Sequence, residues 1–268
     1  MSRVIAIANQ KGGVGKTTTA INLGAGLAVA ERRTLIVDMD PQGNATSGMG
    51  VDRSRLKGSV YDTLIEDSAI ADVRLERVHF PFLDLVPSSQ DLVGAEVELV
   101  DRPQRELVLR RVLAPVRDEY DYVLLDCPPS LGLLTLNTLA AADTVLIPIQ
   151  CEFYALEGLS QLLNTVRLVQ QNLNPGLQIE GVLLTMYDQR LNLSRQVADE
   201  AKEYFGSRVF KSVIPRNVRL AEAPSFGKPI VLYDILSAGA QSYLTLANEI
   251  IGRDGMPDGT LTTVRGGP

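Results

Sequence analysis

The sequence predicts an α/β fold, a doubly wound and mostly parallel sheet flanked by helices. Short apolar runs that end in glycine, proline or acidic residues recur along the chain, and segments with helical periodicity lie between them. The apolar runs rarely alternate with polar residues, which is typical of strands covered on both faces. Strands that alternate with helices favour a parallel sheet, because each helix returns the chain to the start of the next strand.

The predicted elements follow in chain order. Seven apolar runs predict strands over residues 4–8, 34–37, 82–86, 122–125, 144–149, 179–185 and 209–214. Helical periodicity predicts helices over residues 16–30, 90–117, 132–142, 155–173, 192–205 and 237–251. No repeat or linker interrupts this pattern, so we expect a single domain over residues 1–251. Residues 252–268 are rich in glycine and proline, and we expect them to form a disordered tail.

The composition is that of an ordinary globular protein. The chain has 268 residues, of which 45% are hydrophobic, so it can bury a sizeable core. No apolar stretch reaches the roughly 20 residues that span a bilayer, and strand-like sequence begins at Val4, so we expect a cytoplasmic protein without a signal peptide. Cys127 and Cys151 predict reduced, partly buried thiols, and the single histidine argues against a histidine-based metal site.

Charge is distributed unevenly. The net charge of −6 argues against a protein that is basic over its whole surface, but it does not exclude a local basic patch. Between residues 208 and 228 the one acidic residue is Glu222, and the basic residues are Arg208, Lys211, Arg216, Arg219 and Lys228. This segment is therefore the strongest candidate for contact with an anionic partner.

Residues 11–18, KGGVGKTT, lie between the first predicted strand and the first predicted helix. Glycines permit a tight turn whose amide groups point inward, and the helix N-terminus adds partial positive charge, so the segment predicts a phosphate-binding loop. Lys16 is expected to reach the β and γ phosphates, and the Thr17 hydroxyl to bind Mg²⁺. The usual P-loop begins with glycine where this chain has Gln10, and Lys11 follows instead. This is the deviant Walker A form, although the residues alone leave open a merely solvated Lys11.

Acidic residues follow two of the predicted strands. Asp38 and Asp40 are two residues apart at a strand end, so they point the same way, and one of them could orient water or Mg²⁺ beside the γ-phosphate. A solvated acidic turn before Pro41 is the alternative. Asp126 closes another apolar strand, as a Walker B carboxylate that holds Mg²⁺ through water does. The two prolines after Cys127 stiffen a loop whose position could depend on the γ-phosphate.

Five segments together resemble the ParA/Soj family of chromosome and plasmid partition ATPases, over about residues 3–251. The P-loop alone places the chain only in the wider group that includes MinD-type and nitrogenase iron-protein-type ATPases. The other four segments narrow the resemblance. The five are KGGVGKTTT, VDMDPQGNATSG, LLDCPPSLGLLTLN, QCEFYALEGLSQLL and VIPRNVRLAEAPSFGKPI.

The resemblance implies ATP and Mg²⁺ as cofactors and an ATP-dependent homodimer in which two subunits enclose the nucleotides face to face. Lys11 then reaches the phosphates bound by the other subunit, Asp40 orients the attacking water, and Asp126 belongs to the Mg²⁺ shell. The loop Pro215 to Asn217 is expected against adenine, with Met186 on its other side. The P-loop residues expected at the nucleotide are Lys11, Gly12, Gly13, Val14, Gly15, Lys16, Thr17 and Thr18.

The resemblance also implies non-specific DNA binding by the ATP-bound dimer on the nucleoid, and a ParB/Spo0J-like partner whose short basic segment accelerates hydrolysis. Arg190 and Arg219 stand where the family's DNA-contacting arginines fall, although either could be a solvated surface arginine. Strand-like sequence begins almost at Met1, so we expect no helix-turn-helix extension, as in the short partition ATPases that do not act as operator-binding repressors.

Three other functions share this fold. A MinD-like membrane-surface ATPase that positions division is disfavoured because no basic amphipathic helix follows the last predicted helix, so we expect no membrane partner. A redox ATPase with a shared iron–sulfur cluster is disfavoured by the positions of Cys127 and Cys151. A small-molecule ATP-dependent ligase stays open, although no separate substrate pocket is suggested.

Overall fold

The computed structural model describes residues 2–152 and 157–253. Seven strands form one sheet in the order β3-β2-β4-β1-β5-β6-β7, and every pairing between them is parallel. The predicted fold class and all seven predicted strands are confirmed. The strands are β1 Arg3–Ile7, β2 Thr34–Asp38, β3 Leu83–Val86, β4 Tyr122–Asp126, β5 Thr144–Gln150, β6 Gln178–Tyr187 and β7 Val209–Pro215.

Helices cover both faces of the sheet. In the described part of the chain they are α1 Lys16–Val29, α2 Asn44–Gly48, α3 Val60–Ile65, α4 Ile70–Val73, α5 Leu92–Glu98, α6 Val108–Leu113, α7 Leu133–Ala141, α8 Glu157–Asn172, α9 Asn192–Phe205, α10 Val218–Glu222, α11 Ile230–Tyr233 and α12 Ala238–Arg253. Five helices were not predicted from the sequence, α2, α3, α4, α10 and α11, and each spans at most six residues, too few to show a period.

The predicted single helix over residues 90–117 is wrong. The structure has α5 and α6 there, separated by short 3₁₀ turns. Pro103 causes the break, because proline forces the preceding residue out of the helical region, and Arg102 is extended with ψ 136°. Gln104 then adopts a left-handed conformation with φ 52°. At the other end of the chain α12 continues through Arg253, two residues beyond the predicted boundary, and the rest of the predicted tail, residues 254–268, lies outside the described residues.

The sheet separates two apolar cores. Helices α1 and α12 pack on one face, and α5 to α9 pack on the other. All residues of β2 and of β4 are buried, which explains why these runs show no alternation. No helix in the described ranges is long and apolar enough to cross a bilayer.

The carboxyl ends of the central strands lie level with one another. Asp38 at the end of β2 pairs with Asp126 at the end of β4, and Ile7 at the end of β1 pairs with the same Asp126. In open parallel sheets ligands bind beyond these ends. The fold therefore brings the P-loop and both acidic segments to one edge of the sheet.

Candidate nucleotide-binding site

The P-loop joins β1 to α1 and is held in place by the neighbouring strands. The Asn9 side chain donates to the carbonyl of Pro148 at 2.7 Å and accepts from the backbone amide of Lys11 at 3.0 Å. On the other side the Thr185 hydroxyl donates to the carbonyl of Val14 at 2.8 Å. Strands β5 and β6 thus fix the shape of the loop, which favours a preformed phosphate site.

Two glycines meet a backbone requirement in this loop. Gly13 has φ 75° and Gly15 has φ 89°, both in the region that side-chain-bearing residues avoid. Gly15 precedes α1, and no side chain caps the N-terminus of that helix. The first amide groups of α1 therefore face the loop without a side-chain acceptor, beside the half-buried Thr17 and Thr18, in the arrangement that binds phosphate.

Lys16 is buried at the base of the loop. Its ammonium group donates to the carbonyl of Lys11 at 3.2 Å. Burial lowers the pKa of Lys16, and the nearby carboxylate of Asp126 acts in the opposite direction. Among the described residues the Lys11 carbonyl is the one hydrogen-bond acceptor of the buried ammonium group. That arrangement favours a polyanionic ligand, because phosphate oxygens would supply the missing charge and hydrogen bonds.

Asp126 has the environment expected of a residue that binds hydrated Mg²⁺. It is fully buried, and neither carboxylate oxygen has a hydrogen-bond partner in the described part of the chain. Burial raises the pKa of Asp126 well above its ordinary value, Asp38 adds to this rise, and the nearby Thr17 hydroxyl opposes it. A hydrated Mg²⁺ ion between Thr17 and Asp126 would satisfy both orphaned oxygens through its waters. Among the described residues, no group of three or more histidine, cysteine, aspartate or glutamate side chains is placed to hold a metal ion.

The structure assigns different roles to Asp38 and Asp40. The fully buried Asp38 accepts from the backbone amide of Thr46 at 2.8 Å, from its hydroxyl at 2.6 Å and from the backbone amide of Asp40 at 3.2 Å. Burial raises the pKa of Asp38 to about 6, and these hydrogen bonds oppose the rise. Asp38 therefore locks the loop after β2, and its oxygens are already used by the protein.

Asp40 is held by fewer hydrogen bonds to its side chain than Asp38 is. One of its side-chain oxygens accepts from the backbone amide of Gln42 at 2.9 Å, and its own carbonyl accepts from the Ser88 hydroxyl at 2.8 Å. Ser88 also donates its amide to the Thr46 hydroxyl at 2.9 Å, which ties the end of β3 to this loop. Sequence reasoning missed Thr46 and Ser88. Ser88 closely follows β3, which was the one available signal, whereas Thr46 lies within α2.

Lys11 differs from Lys16 in its surroundings. Its side chain is half-exposed, and its ammonium group lies 4.0 Å from Glu152, which also accepts from Arg216 at 3.2 Å. Lys11 is therefore at the rim of its own site rather than inside it, where it is available to a second molecule. Sequence reasoning did not single out Glu152, whose neighbours 153–156 lie outside the described residues.

The predicted adenine-contacting residues come from adjacent strand ends. Met186 lies near the end of β6 with φ 50°, and Tyr187 beside it pairs with Pro215 of β7. The Asn217 side-chain oxygen accepts from the backbone amide of Arg219 at 2.8 Å and so caps α10. Because the side-chain oxygen is used as a cap, the amide nitrogen of Asn217 is the group that could bind an adenine base.

Arg190 and Arg219 are exposed and do not contact the P-loop. Arg190 pairs with Asp188 at 2.6 Å, and Arg219 pairs with Glu222 at 2.9 Å and with Asp234 at 3.5 Å. Hydrogen bonds from Arg190 lower the pKa of Asp188 to about 2. Exposed pairs of this kind contribute little stability, so the arginines can exchange their partners for phosphates.

Both cysteines are free, as predicted, and both are buried almost completely rather than partly. Burial raises the pKa of Cys151 to about 12 and raises that of Cys127 further. Neither thiol ionises near neutral pH, so both behave as small apolar side chains in the core.

Comparison with known proteins identifies the family. A family model described as an AAA domain matches residues 2–179. The chromosome partitioning protein ParA of Myxococcus xanthus (strain DK1622) is 59% identical over 254 residues, which cover 95% of this chain and 89% of the relative. The sporulation initiation inhibitor protein Soj of Bacillus subtilis (strain 168) is 59% identical over 250 residues, which cover 93% and 98%. The chain belongs to the ParA/Soj family of partition ATPases.

Solved structures show how widely the ParA/Soj fold is shared. Cobyrinic acid a,c-diamide synthase from Mycobacterium smegmatis, crystallised with ADP and magnesium, has a TM-score of 0.82 and 39% identity over 94% of this chain and 95% of its own. The cell division ATPase MinD from Pyrococcus furiosus has a TM-score of 0.78 and 27% identity over 94% and 99%. The higher identity to ParA and Soj favours the partition family over the MinD-like and ligase alternatives.

Proposed function

We propose that this protein is an Mg²⁺-dependent ATPase that partitions chromosomal or plasmid DNA. ATP joins two copies into a sandwich dimer, and the dimer binds DNA non-specifically on the nucleoid in the cytoplasm. A ParB/Spo0J-like partner stimulates ATP hydrolysis, which releases the dimer from the DNA. The observation that carries the proposal is the pair of lysines in one loop. The buried Lys16 serves the subunit's own nucleotide, and the half-exposed Lys11 is placed to serve another's.

Different residues bind the phosphates, the adenine base and the metal ion. The loop amides and Lys16 hold the phosphates, Met186, Pro215 and Asn217 hold adenine, and Thr17 with Asp126 holds hydrated Mg²⁺. The metal would supply charge neutralisation at the phosphates. Because burial disfavours the charged forms of both Lys16 and Asp126, these two groups are poorly solvated in the free site, and both would be stabilised by a bound Mg²⁺–nucleotide complex.

The chemical step requires both subunits. Asp40 accepts a hydrogen bond from the attacking water and orients it toward the γ-phosphate. Lys11 leaves Glu152 and neutralises the charge that develops on the phosphoryl group held by the partner subunit, in the way an arginine finger does. The Lys11–Glu152 contact is long and exposed, so breaking it costs little free energy.

Gly12 tests the dimer geometry. A Cβ on this exposed glycine would meet no atom within 4 Å, so Gly12→Val is compatible with the isolated subunit. In a face-to-face dimer the two P-loops approach closely, and the added side chains should collide. We expect Gly12→Val to bind ATP and remain monomeric by light scattering.

Gly252→Val on α12 is the control. A Cβ at Gly252 also points into open space, and this variant should dimerise like the wild type. An ATP-dependent Gly12→Val dimer would contradict the face-to-face geometry.

DNA binding by a protein of net charge −6 requires clustered positive residues, and dimerisation doubles any cluster that it brings onto one face. We expect Arg190→Glu or Arg219→Glu to lower DNA affinity at least ~10-fold while ATP-dependent dimerisation persists. Arg55→Glu is a matched control, since Arg55 is also exposed and paired with a carboxylate, Asp52, at 3.2 Å. Fluorescence anisotropy with a labelled duplex measures the effect. If both arginine variants bind DNA with wild-type affinity, Arg190 and Arg219 are solvated surface residues that do not contact DNA.

A further inference from the structure

Helix α5 and the turn that follows it expose a row of valines. Val93, Val97 and Val100 are 63%, 74% and 50% exposed, and we call them the valine face. Their spacing of four and three residues places them on one side of the helix. The opposite side is completely buried in the core by Leu92, Ala95 and Leu99. Helix α5 is thus firmly attached to the protein and presents an apolar stripe outward.

Negative charge surrounds the valine face. Residues 91–101 contain no lysine or arginine, and their acidic residues are Asp91, Glu96, Glu98 and Asp101. The next two basic residues are already paired, Arg102 with Asp67 at 2.8 Å and Arg105 with Glu106 at 3.0 Å. An apolar centre with an acidic rim complements a segment that combines apolar and basic side chains.

The valine face is mechanically connected to the nucleotide site. One side-chain oxygen of Glu96 is buried without a hydrogen-bond partner among the described residues, and the Glu96 carboxylate occupies the space beside Gly132 that a Cβ there would take. Gly132 immediately precedes α7 and ends the loop that follows Asp126. The same loop is fixed at Ser130, whose carbonyl accepts from the Thr135 hydroxyl at 2.6 Å. A shift of α5 would move the Glu96 carboxylate against Gly132, and this contact is the route by which α5 could act on the loop that follows Asp126.

Two other occupants of this face are less favourable. A second copy related by a two-fold axis would bring the acidic rims of both copies together, and like charges repel. The chain's own residues 254–268 contain two aspartates and a single arginine, so they offer no net positive charge. The charge of the second copy and that of residues 254–268 therefore make each a poorer match to the valine face than a basic segment.

We propose that the valine face is the docking surface for a basic, apolar-anchored peptide segment of the partner protein, and that docking moves the loop after Asp126. Acceleration of ATP hydrolysis by the docked segment depends on the function proposed above. The docking itself depends only on the apolar stripe and its acidic rim. The segment binds by inserting apolar side chains between the valines while its lysines or arginines face the carboxylates.

Val97→Lys tests the proposal, because the substitution removes the most exposed valine and adds a repulsive charge without touching the core. The probe is a fluorescently labelled synthetic peptide of the basic N-terminal segment of the ParB/Spo0J-like partner, titrated with full-length protein. We expect at least a tenfold loss of affinity in Val97→Lys and unchanged basal ATPase activity. Val29→Lys is the matched control, since Val29 is 45% exposed at the end of α1 on the other face of the sheet, and it should bind like the wild type. Rising salt should weaken wild-type binding.

Equal affinity in Val97→Lys and the wild type would overturn the docking proposal. So would a gain in affinity when Leu261 and Val264 of the full-length chain are replaced by serine, since the chain's own C-terminal segment would then be the occupant. A nucleotide-independent dimer that Val97→Lys dissociates would identify a second copy instead. Peptide binding that depends on Val97 but leaves ATP hydrolysis unchanged would support the docking surface and contradict the proposed stimulation.

Discussion

Lys16→Ala should abolish ATP binding, and with it dimerisation and DNA binding. In the part of the chain that the structure describes, the buried ammonium group donates to one acceptor, the carbonyl of Lys11, so its remaining hydrogens are available to phosphate. Two hydrogen bonds to a charged phosphate, at about 1.5–3 kcal/mol each, predict an ATP affinity roughly 10²- to 10⁴-fold weaker. Calorimetric titration with ATP and Mg²⁺ measures this loss.

The second lysine of the loop provides the control for this experiment. Because Lys11 lies at the rim beside Glu152, Lys11→Ala should keep most of the ATP affinity of the subunit and lose hydrolysis in the dimer. Burial disfavours the charged form of Lys16, so its removal should not destabilise the nucleotide-free fold, and thermal unfolding checks this. Nucleotide-dependent DNA binding by Lys16→Ala would contradict the P-loop assignment.

Asp40→Ala should bind ATP and dimerise but hydrolyse ATP about 10²- to 10⁴-fold more slowly, because it loses the group that orients water. The stalled dimer should then remain on DNA. Asp40 suits this role because its neighbour Asp38 is occupied by Thr46, whereas Asp40 has one side-chain acceptor engaged by Gln42. Single-turnover hydrolysis in the presence of the partner protein gives the rate.

Asp52→Ala is a suitable control for the loss of a carboxylate, since Asp52 is exposed and caps a short turn through Ser54. This variant should turn over ATP like the wild type. If Asp40→Ala matches the wild-type rate as well, Asp40 is only part of the turn after β2, and another group must orient the attacking water.

Much of this architecture could be predicted from sequence because local signals suffice for it. Strands buried on both faces are continuous apolar runs, and the P-loop needs glycines at fixed positions, so both are visible in the sequence. The helix over 90–117 was mispredicted because helical periodicity resumes on either side of Pro103, which hides the break.

The finer features of the site depend on residues distant in sequence. Asp38 and Asp40 share one side of the strand end by spacing, so only the hydrogen bonds from Thr46 and Ser88 distinguish the structural carboxylate from the available one. The contact between Lys11 and Glu152 joins positions 141 apart, and no local pattern could indicate it. Likewise the carboxylate partners of Arg219 include Asp234, which belongs to another helix end.

The central claim is that ATP switches a sequence-independent affinity for DNA. The most direct test is a titration of the full-length protein with two unrelated duplexes, at several salt concentrations, in ATP or in ADP with Mg²⁺. We expect tight binding in ATP alone, nearly equal affinities for the two duplexes, and a logarithmic affinity that falls by about 0.9 per phosphate contact for each tenfold rise in salt. Equal affinity in ATP and ADP, or strong preference for one duplex, would contradict the account.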